Sequence, residues 1–185
     1  MAAIPTTYDG IEYRSRLEAR WAAFMANIGW DTVYEPFDGD GYIPDFLVQG
    51  DNPLLIEVKP ASIAADYLGA VPKAESGLEQ HWKHDILIVG STPFPLVSFG
   101  YGSTHPAGLL GEYGAHWEGW AWNEGEWHTC RACGAVNVHH VEMTFSGRPC
   151  GHYDGDHYLG EPPMRIMASM WADACNDVKW RGRAA

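Results

Sequence analysis

The stretch Tyr42–Lys59, which reads YIPDFLVQGDNPLLIEVK, constrains the fold of this chain more than any other. Its two apolar runs are separated by Gln49–Pro53, whose Gly, Asp, Asn and Pro residues are typical of a tight turn. We therefore predict two strands, Tyr42–Val48 and Leu54–Lys59, with Pro60 ending the second. Because the turn is short, the two strands can pair antiparallel as a hairpin.

This hairpin would bring acidic and basic side chains together. Side chains alternate between the faces of a strand, so Glu57 and Lys59 share one face and Val58 points to the other. Antiparallel pairing would place Asp45 beside Glu57. Carboxylate oxygens suit Mg²⁺ or Mn²⁺, and such a cation polarises a phosphodiester and lowers the pKa of bound water. The alternative is a solvated ion pair at an exposed edge of the sheet.

A helix is predicted to precede the hairpin. Ser15 and Glu18 have the spacing of a capping box, with serine at the N-cap and glutamate three positions later. An apolar stripe of helical period follows, formed by Leu17, Trp21, Phe24, Met25 and Ile28. Glu18 flanks this stripe, so its carboxylate could cap the helix, serve the acidic site, or do both.

Further elements complete the first half of the chain. They are a short strand or extended entry at 8–13 with a turn at Asp9-Gly10, strands at Trp30–Pro36 and Ile86–Val89, and helical segments at Ser62–Leu68 and Lys73–Lys83. The resulting order, β-α-β-β-β-α-β, predicts an α/β fold with a mixed central β-sheet flanked by helices.

The segments YRSRLEARWAAFMANIGW, YEP, YIPDFLV and LLIEVKP together resemble the PD-(D/E)xK nuclease superfamily. The order of a helix glutamate, a Pro-Asp pair and a Glu-x-Lys motif is similar to that of archaeal Holliday-junction resolvases, transposon-end endonucleases and several phage and intron-encoded endonucleases. The resemblance covers residues 8–90 and implies a restriction-endonuclease-like core.

The resemblance also implies roles for individual residues. Asp45, Glu57 and the carbonyl group of Val58 would bind Mg²⁺ or Mn²⁺. Lys59 would be the catalytic lysine, and Glu18 would complete or orient the metal shell. The implied activity is Mg²⁺-dependent endonucleolytic hydrolysis of DNA by an activated water. Because many relatives dimerise to cut two strands, a homodimer is one option.

A second constellation lies in the C-terminal half. Cys130 and Cys133 are two residues apart, and Gly134 permits a turn that aims backbone amides at sulfur. Cys150 follows, and the set predicts a closed, structural Cys₃His zinc site resembling a zinc ribbon. A ribbon usually repeats the two-residue gap, whereas here the motif is Cys-x-His. The fourth ligand is therefore open among His152, His139, His140 and His157.

The composition divides the chain into three segments. Residues 1–122 would form the nuclease-like core, 123–160 a small zinc-binding β elaboration, and 161–185 a C-terminal helix, Met164–Val178, with a basic tail. Several tryptophans crowd before the cysteines, a pattern more typical of core than of a base-stacking surface; these are Trp117, Trp120, Trp122 and Trp127.

The net charge is -12, from 12 basic and 24 acidic residues. This balance argues against a coat-like DNA binder, because cationic contacts to phosphate supply most non-specific affinity. It leaves room for a metal-dependent nuclease, whose acidic groups bind the cation. No apolar run approaches the roughly 20 residues of a membrane span, and no secretion signal is evident, so we expect a cytoplasmic protein without membrane contact.

One rival interpretation has the same fold without cleavage. In it, a zinc-stabilised nuclease-fold component binds a DNA end or a protein partner within a larger assembly. The acidic charge and the Trp-rich, zinc-bearing half favour this interpretation, since that half offers few cations to nucleic acid.

Overall fold

The computed structural model describes residues 3–96, 103–114, 119–140, 149–152 and 159–178. Four helices lie within these ranges: α1 (Arg16–Asn27), α2 (Ala64–Leu68), α3 (Val71–Leu78) and α4 (Met164–Asp177). The strands there are β1 (Thr6–Tyr8), β2 (Ile11–Tyr13), β3 (Thr32–Tyr34), β4 (Phe46–Val48), β5 (Leu54–Val58), β6 (Asp85–Val89), β7 (Pro106–Gly114), β8 (Gly119–Cys130), β9 (Val136–His140) and β10 (Leu159–Gly160).

Eight of these strands form one mixed sheet in the order β10-β8-β7-β6-β5-β4-β3, with β9 also paired to β8. Strands β5 and β6 are parallel and are joined through α2 and α3, whereas the other pairs in the sheet are antiparallel. The short β1 and β2 form a separate hairpin before α1. The prediction of a mixed α/β fold with helices flanking the sheet is therefore confirmed.

Strand β5 lies between two apolar layers. Ile56 and Val58 pack in the core that contains α1 and α4, whereas Leu55 packs with α3 on the opposite face. All five residues of β5 are buried, as expected of a central strand covered on both faces. The alternation predicted for this strand is thus present, and Val58 lies behind the face that carries Glu57.

Local signals place α1 correctly. Ser15 is the N-cap, and its hydroxyl oxygen accepts a hydrogen bond from the Glu18 N–H at 3.1 Å. The helix ends at Asn27, and Gly29 follows with a φ of 83°. A glycine in this left-handed conformation commonly ends a helix, and the predicted N-cap at Ser15 is confirmed.

Two boundaries differ from the predicted ones because of proline residues. The strand predicted from Tyr42 begins only at Phe46, because Pro44 has no N–H to donate to a sheet ladder. The helix predicted from Lys73 begins at Val71, since Pro72 lies in its first turn, where the missing N–H costs little. That helix also ends at Leu78, five residues before the predicted Lys83.

The C-terminal half continues the same sheet. Strand β8 pairs with β7 along its first part and with β9 along its second part, so the boundary predicted near residue 123 falls inside one strand. The predicted C-terminal helix is confirmed as α4. None of the helices in the described ranges combines the length and the hydropathy that crossing a bilayer requires.

The tryptophans beside β8 are structural where they are described. Trp127 is buried and packs against Phe24 and Trp30, and its indole N–H donates to the Pro93 carbonyl at 2.7 Å. Trp122 is half-buried in the layer above α3. Trp117 lies outside the described residues.

Candidate active site and metal-binding cluster

Asp45 and Glu57 lie side by side at one end of the β4–β5 hairpin. Phe46 pairs with Ile56, and continuing this register places Asp45 opposite Glu57. Each of these two residues is only 4% exposed. Asp45 Oδ2 accepts a hydrogen bond from the Val58 N–H at 2.7 Å, which fixes the carboxylate against β5. The hairpin therefore places the two acids as the sequence predicts, while their roles stay predictions.

The Glu57 carboxylate has a protein partner at each oxygen. The Tyr42 hydroxyl donates to Oε2 at 2.7 Å, and the Lys59 ammonium forms an ion pair with Oε1. Burial, followed by the charge of Glu57, raises the pKa of Tyr42, so this hydroxyl remains a neutral donor. The Lys59 side chain is 33% exposed and reaches the buried acid from the solvent side.

The Asp45 carboxyl is buried next to a second acid, Glu57, and both features raise its pKa. Burial raises its pKa to about 7, with a further contribution from Glu57, whereas the N–H of Val58 opposes the rise. Two adjacent buried carboxylates repel each other, so the site favours a proton or a cation. Arg14 supplies such a charge here, with Nη2 2.6 Å from Asp45 Oδ1.

Arg14 also links Asp45 to the helix glutamate. Its Nε lies 3.8 Å from Glu18 Oε2 and 2.9 Å from Glu35 Oε1. Glu35 has a φ of 47°, a left-handed conformation that is strained for this residue type. Its N–H donates to the Asp45 carbonyl at 3.0 Å, so the strained backbone is held next to the acidic group.

Glu18 serves the helix cap and faces the same group of charges. The Ser15 hydroxyl donates to Oε1 and the Tyr34 hydroxyl donates to Oε2, each at 2.7 Å. The carboxylate is buried and lies near enough to Asp45 to raise that residue's pKa. Capping and proximity to the acidic pair therefore coexist at Glu18, whereas its predicted role in a metal shell stays a prediction.

Three residues of the site escaped the sequence reasoning: Arg14, Tyr34 and Tyr42. Tyr42 opens the predicted hairpin, but the irregular chain between it and β4 hides which face it takes. Arg14 is one of three early arginines, and nothing in its spacing separates it from the others. Both residues act through contacts that are distant in sequence.

An open cavity of about 520 Å³ lies beside these charges. It is bounded by the start of α1, by the end of β5 and by the N-terminal segment; its lining residues are Ala3, Ile4, Ser15, Arg16, Leu17, Glu18, Arg20, Val58, Lys59 and Pro60. Lys59 and Glu18 therefore connect the buried acidic group to solvent.

A second cluster brings together Cys130, Cys133, Cys150 and His152. Their four ligand atoms all lie within 4.8 Å of one another, so the cluster can bind a metal such as zinc. Thiolate and imidazole donors in this number suit a tetrahedral ion. Of the four histidines left open by the sequence, His152 is the one in the cluster, and His157 lies outside the described residues.

The thiols differ in their surroundings. Burial would raise the pKa of Cys130, but the backbone N–H groups of Cys133 and Ala132 outweigh it and lower that pKa. Burial raises the pKa of Cys150 to about 11, with a contribution from Cys130. The backbone N–H groups that point at Cys130 come from the turn before Gly134, whose φ is 76°. The sequence Cys130 to Gly134 predicts this turn.

His139 and His140 lie on β9, apart from this cluster. His139 Nδ1 donates to the His140 carbonyl at 2.7 Å, and its Nε2 lies 3.7 Å from Glu126 Oε2. His140 Nε2 lies 4.0 Å from Glu112 Oε2. These histidines therefore face two acids of the sheet, the partly exposed Glu126 and the buried Glu112, and not the cysteines.

The cysteine cluster abuts the turn of the β4–β5 hairpin. The Asn52 N–H donates to the Pro149 carbonyl at 3.2 Å, and a Cβ atom at Gly50 would lie 2.4 Å from that carbonyl oxygen. Asn137 holds Cys150 from β9, donating to its sulfur at 3.2 Å and accepting from its N–H at 3.0 Å. The hairpin thus carries the acids at one end and contacts the cluster at the other.

Comparison of the chain with protein-family models, with curated proteins and with solved structures finds no match.

Proposed function

We propose that this protein is a Mg²⁺- or Mn²⁺-dependent DNA endonuclease with a restriction-endonuclease-like core of the PD-(D/E)xK type. The observation that carries the proposal is the buried pair Asp45 and Glu57 on paired strands, with Lys59 joined to Glu57. A chance Glu-x-Lys sequence would not be expected to have a second buried carboxylate beside its glutamate, as Glu57 has in Asp45.

The donor chemistry of the acidic group fits a hard divalent cation. Asp45 and Glu57 offer buried carboxylate oxygens, which Mg²⁺ and Mn²⁺ prefer, and the pKa of Asp45 is raised first by burial and then by the negative charge of Glu57. Arg14 and Lys59 now neutralise that charge, and both side chains are partly exposed. A cation could therefore take their place at the carboxylates without uncovering the core.

The residues of the site then have distinct tasks. Asp45, Glu57 and the Val58 carbonyl would hold the cation, which would supply Lewis-acid activation of the phosphodiester and of water. Lys59 Nζ orients the attacking water and stabilises the hydroxide that forms. The water loses a proton to solvent, its oxygen attacks phosphorus, the bond from phosphorus to the leaving oxygen breaks, and the leaving oxygen takes up a proton from solvent. Glu18, whose carboxylate is held by the Ser15 and Tyr34 hydroxyls, would complete or orient the metal shell.

Tyr42 and Tyr34 position the acids. Each hydroxyl donates to one carboxylate, Tyr42 to Glu57 and Tyr34 to Glu18, at 2.7 Å. Because the pKa of each tyrosine is raised by burial first and then by its acidic neighbour, both stay donors at neutral pH. They restrict the two carboxylates to one orientation without adding charge.

We further propose that the cysteine cluster binds a structural Zn²⁺. Four protein ligands complete a tetrahedral shell and leave no open position for substrate. Bound there, zinc would fix the end of β8 and the segment at Cys150 against the hairpin turn. The zinc-bearing half could then also present a surface to a protein partner.

The rival function is binding without cleavage. The hydrogen bonds of the acidic group favour it, because both oxygens of Asp45 and both oxygens of Glu57 already accept from protein donors. The net charge of -12 also favours it. In this case the ion pairs would be permanent, and divalent cations would have no effect on the acidic group.

Cleavage of supercoiled, linear and branched DNA, with RNA as a further substrate, tests the proposal. We expect Mg²⁺- or Mn²⁺-dependent cleavage of DNA that falls at least about 100-fold in Lys59→Met and Glu57→Gln. Glu12→Gln, at an exposed acid on β2, is the matched control and should cut like the wild type. Equal cleavage by all four proteins would refute the catalytic assignment, and none by any would favour the rival.

A further inference from the structure

The open cavity beside the acidic group is unusually cationic for this chain. Arg16 and Arg20 lie one turn apart on α1 and line it from one side, and Lys59 lines it from the end of β5. The whole protein has 12 basic residues against 24 acidic ones. Three of those cations therefore share one cavity in a molecule whose overall field is negative.

Arg16 and Arg20 differ from the neighbouring Arg14 in their partners. Arg14 is engaged by three carboxylates, Glu18, Glu35 and Asp45. The Nε atoms of Arg16 and Arg20 are buried, and among the described residues neither has a hydrogen-bond partner. A buried N–H without an acceptor is costly, so each guanidinium is suited to an acceptor that enters from the cavity.

The acidic residue in the cavity does not supply that acceptor. Both oxygens of Glu18 accept hydroxyl hydrogen bonds, from Ser15 and Tyr34. A tetrahedral oxyanion matches the remaining donors, because a guanidinium donates two parallel N–H groups to phosphate oxygens. The volume of about 520 Å³ leaves room for the nucleoside attached to such a group.

We propose that Arg16 and Arg20 form a phosphate-binding site for a nucleic-acid strand, next to the bond that is cut. The inference rests on the proposed nuclease function for the identity of the strand, and it assigns the cavity to a phosphate other than the one hydrolysed. Lys59 both lines this cavity and pairs with Glu57 of the acidic group. The phosphate is either a terminal monoester or an internal diester, which share the same oxyanion chemistry.

Equilibrium binding without divalent cations tests the site separately from cleavage. Fluorescent single-stranded oligonucleotides with a 5′-phosphate, a 3′-phosphate or neither are titrated against the full chain. We expect the double variant Arg16→Gln/Arg20→Gln to bind at least 10-fold more weakly and to lower the slope of log K against log salt by about 1–2. Arg16→Lys/Arg20→Lys should recover part of the affinity, and Arg165→Gln, at an exposed cation on α4, should leave it unchanged.

The oligonucleotides distinguish the two sources of phosphate. A preference for one terminal phosphate that is lost in the double glutamine variant would identify a monoester site, whereas equal loss for all three would identify a diester site. Wild-type affinity in the double variant, with its unfolding midpoint unchanged, would overturn the inference. Arginine-dependent binding without cleavage would refute only the nuclease, and cleavage with arginine-independent binding would refute only this site.

Discussion

The backbone N–H of Val58 donates a 2.7 Å hydrogen bond to Asp45 Oδ2, although Asp45 lies before the first residue of β4. The N–H and C=O of one strand residue point to the same side of the strand. The Val58 carbonyl therefore faces the side of β5 on which Asp45 lies. This relationship supports the role proposed for that carbonyl beside the two carboxylates.

Asp45 should make the metal-free protein less stable as the pH rises. The pKa of a free aspartate is about 3.9, and burial raises that of Asp45 to about 7. Between these values the folded state keeps a proton that the unfolded state has lost, so the free energy of unfolding falls with increasing pH, by at most about 1.4 kcal/mol per pH unit. Urea unfolding at several pH values should show this slope in the wild type and a flatter one in Asp45→Asn. If the free energy of unfolding changed with pH equally in the wild type and in Asp45→Asn, the raised pKa would not belong to Asp45.

The hydrogen bond from Tyr42 to Glu57 should give a measurable coupling energy in a double-mutant cycle. Tyr42→Phe leaves a buried carboxylate oxygen without its donor, which should cost about 1–3 kcal/mol of stability. In a Glu57→Gln background the same change should cost at least 1 kcal/mol less. Additive effects, measured by urea unfolding, would show that the hydroxyl does not position Glu57.

Zinc should depend on the cluster cysteines and not on the cysteine of α4. Purified protein should contain about one zinc per chain, and Cys133→Ser, at an exposed ligand position, should lose it together with a lower melting temperature. Cys175→Ser is the matched control and should retain the metal. Equal zinc content in both variants, measured by elemental mass spectrometry, would contradict the ligand set.

Gly50 should report the contact between the hairpin turn and the segment that carries Cys150. A Cβ atom there would lie 2.4 Å from the Pro149 carbonyl oxygen, so Gly50→Ala should destabilise the fold by about 1–3 kcal/mol. Gln49→Ala, at the exposed neighbouring position, should change stability much less. Equal unfolding midpoints for the two variants would show that the two segments do not pack as described.

Sequence signals located those parts of the molecule that depend on neighbouring residues. The capping box at Ser15 and the glycine at 29 set the ends of α1, and the Gln49–Pro53 turn set the register that brings Asp45 to Glu57. The cysteine spacing likewise predicted that three sulfur atoms would lie close together, and the structure places His152 beside them.

Contacts between distant segments were not predictable in this way. Arg14 joins Asp45 across 31 positions, and which of the early arginines does so depends on how α1 enters against the sheet. Similarly, β8 extends through residue 123 because its pairing with β7 and β9 overrides the change in composition there. The helix predicted from Lys73 begins two residues earlier, at Val71, because a proline such as Pro72 can also lie in the first turn of a helix.

The central claim is that the buried acids bind a divalent cation, and anomalous diffraction from crystals soaked in Mn²⁺ tests it most directly. We expect one anomalous peak about 2.0–2.6 Å from Asp45, Glu57 and the Val58 carbonyl oxygen, with Arg14 displaced from Asp45. Saturating Mn²⁺ that leaves no peak there, and leaves the pairs of Arg14 with Asp45 and Lys59 with Glu57 intact, would contradict the account.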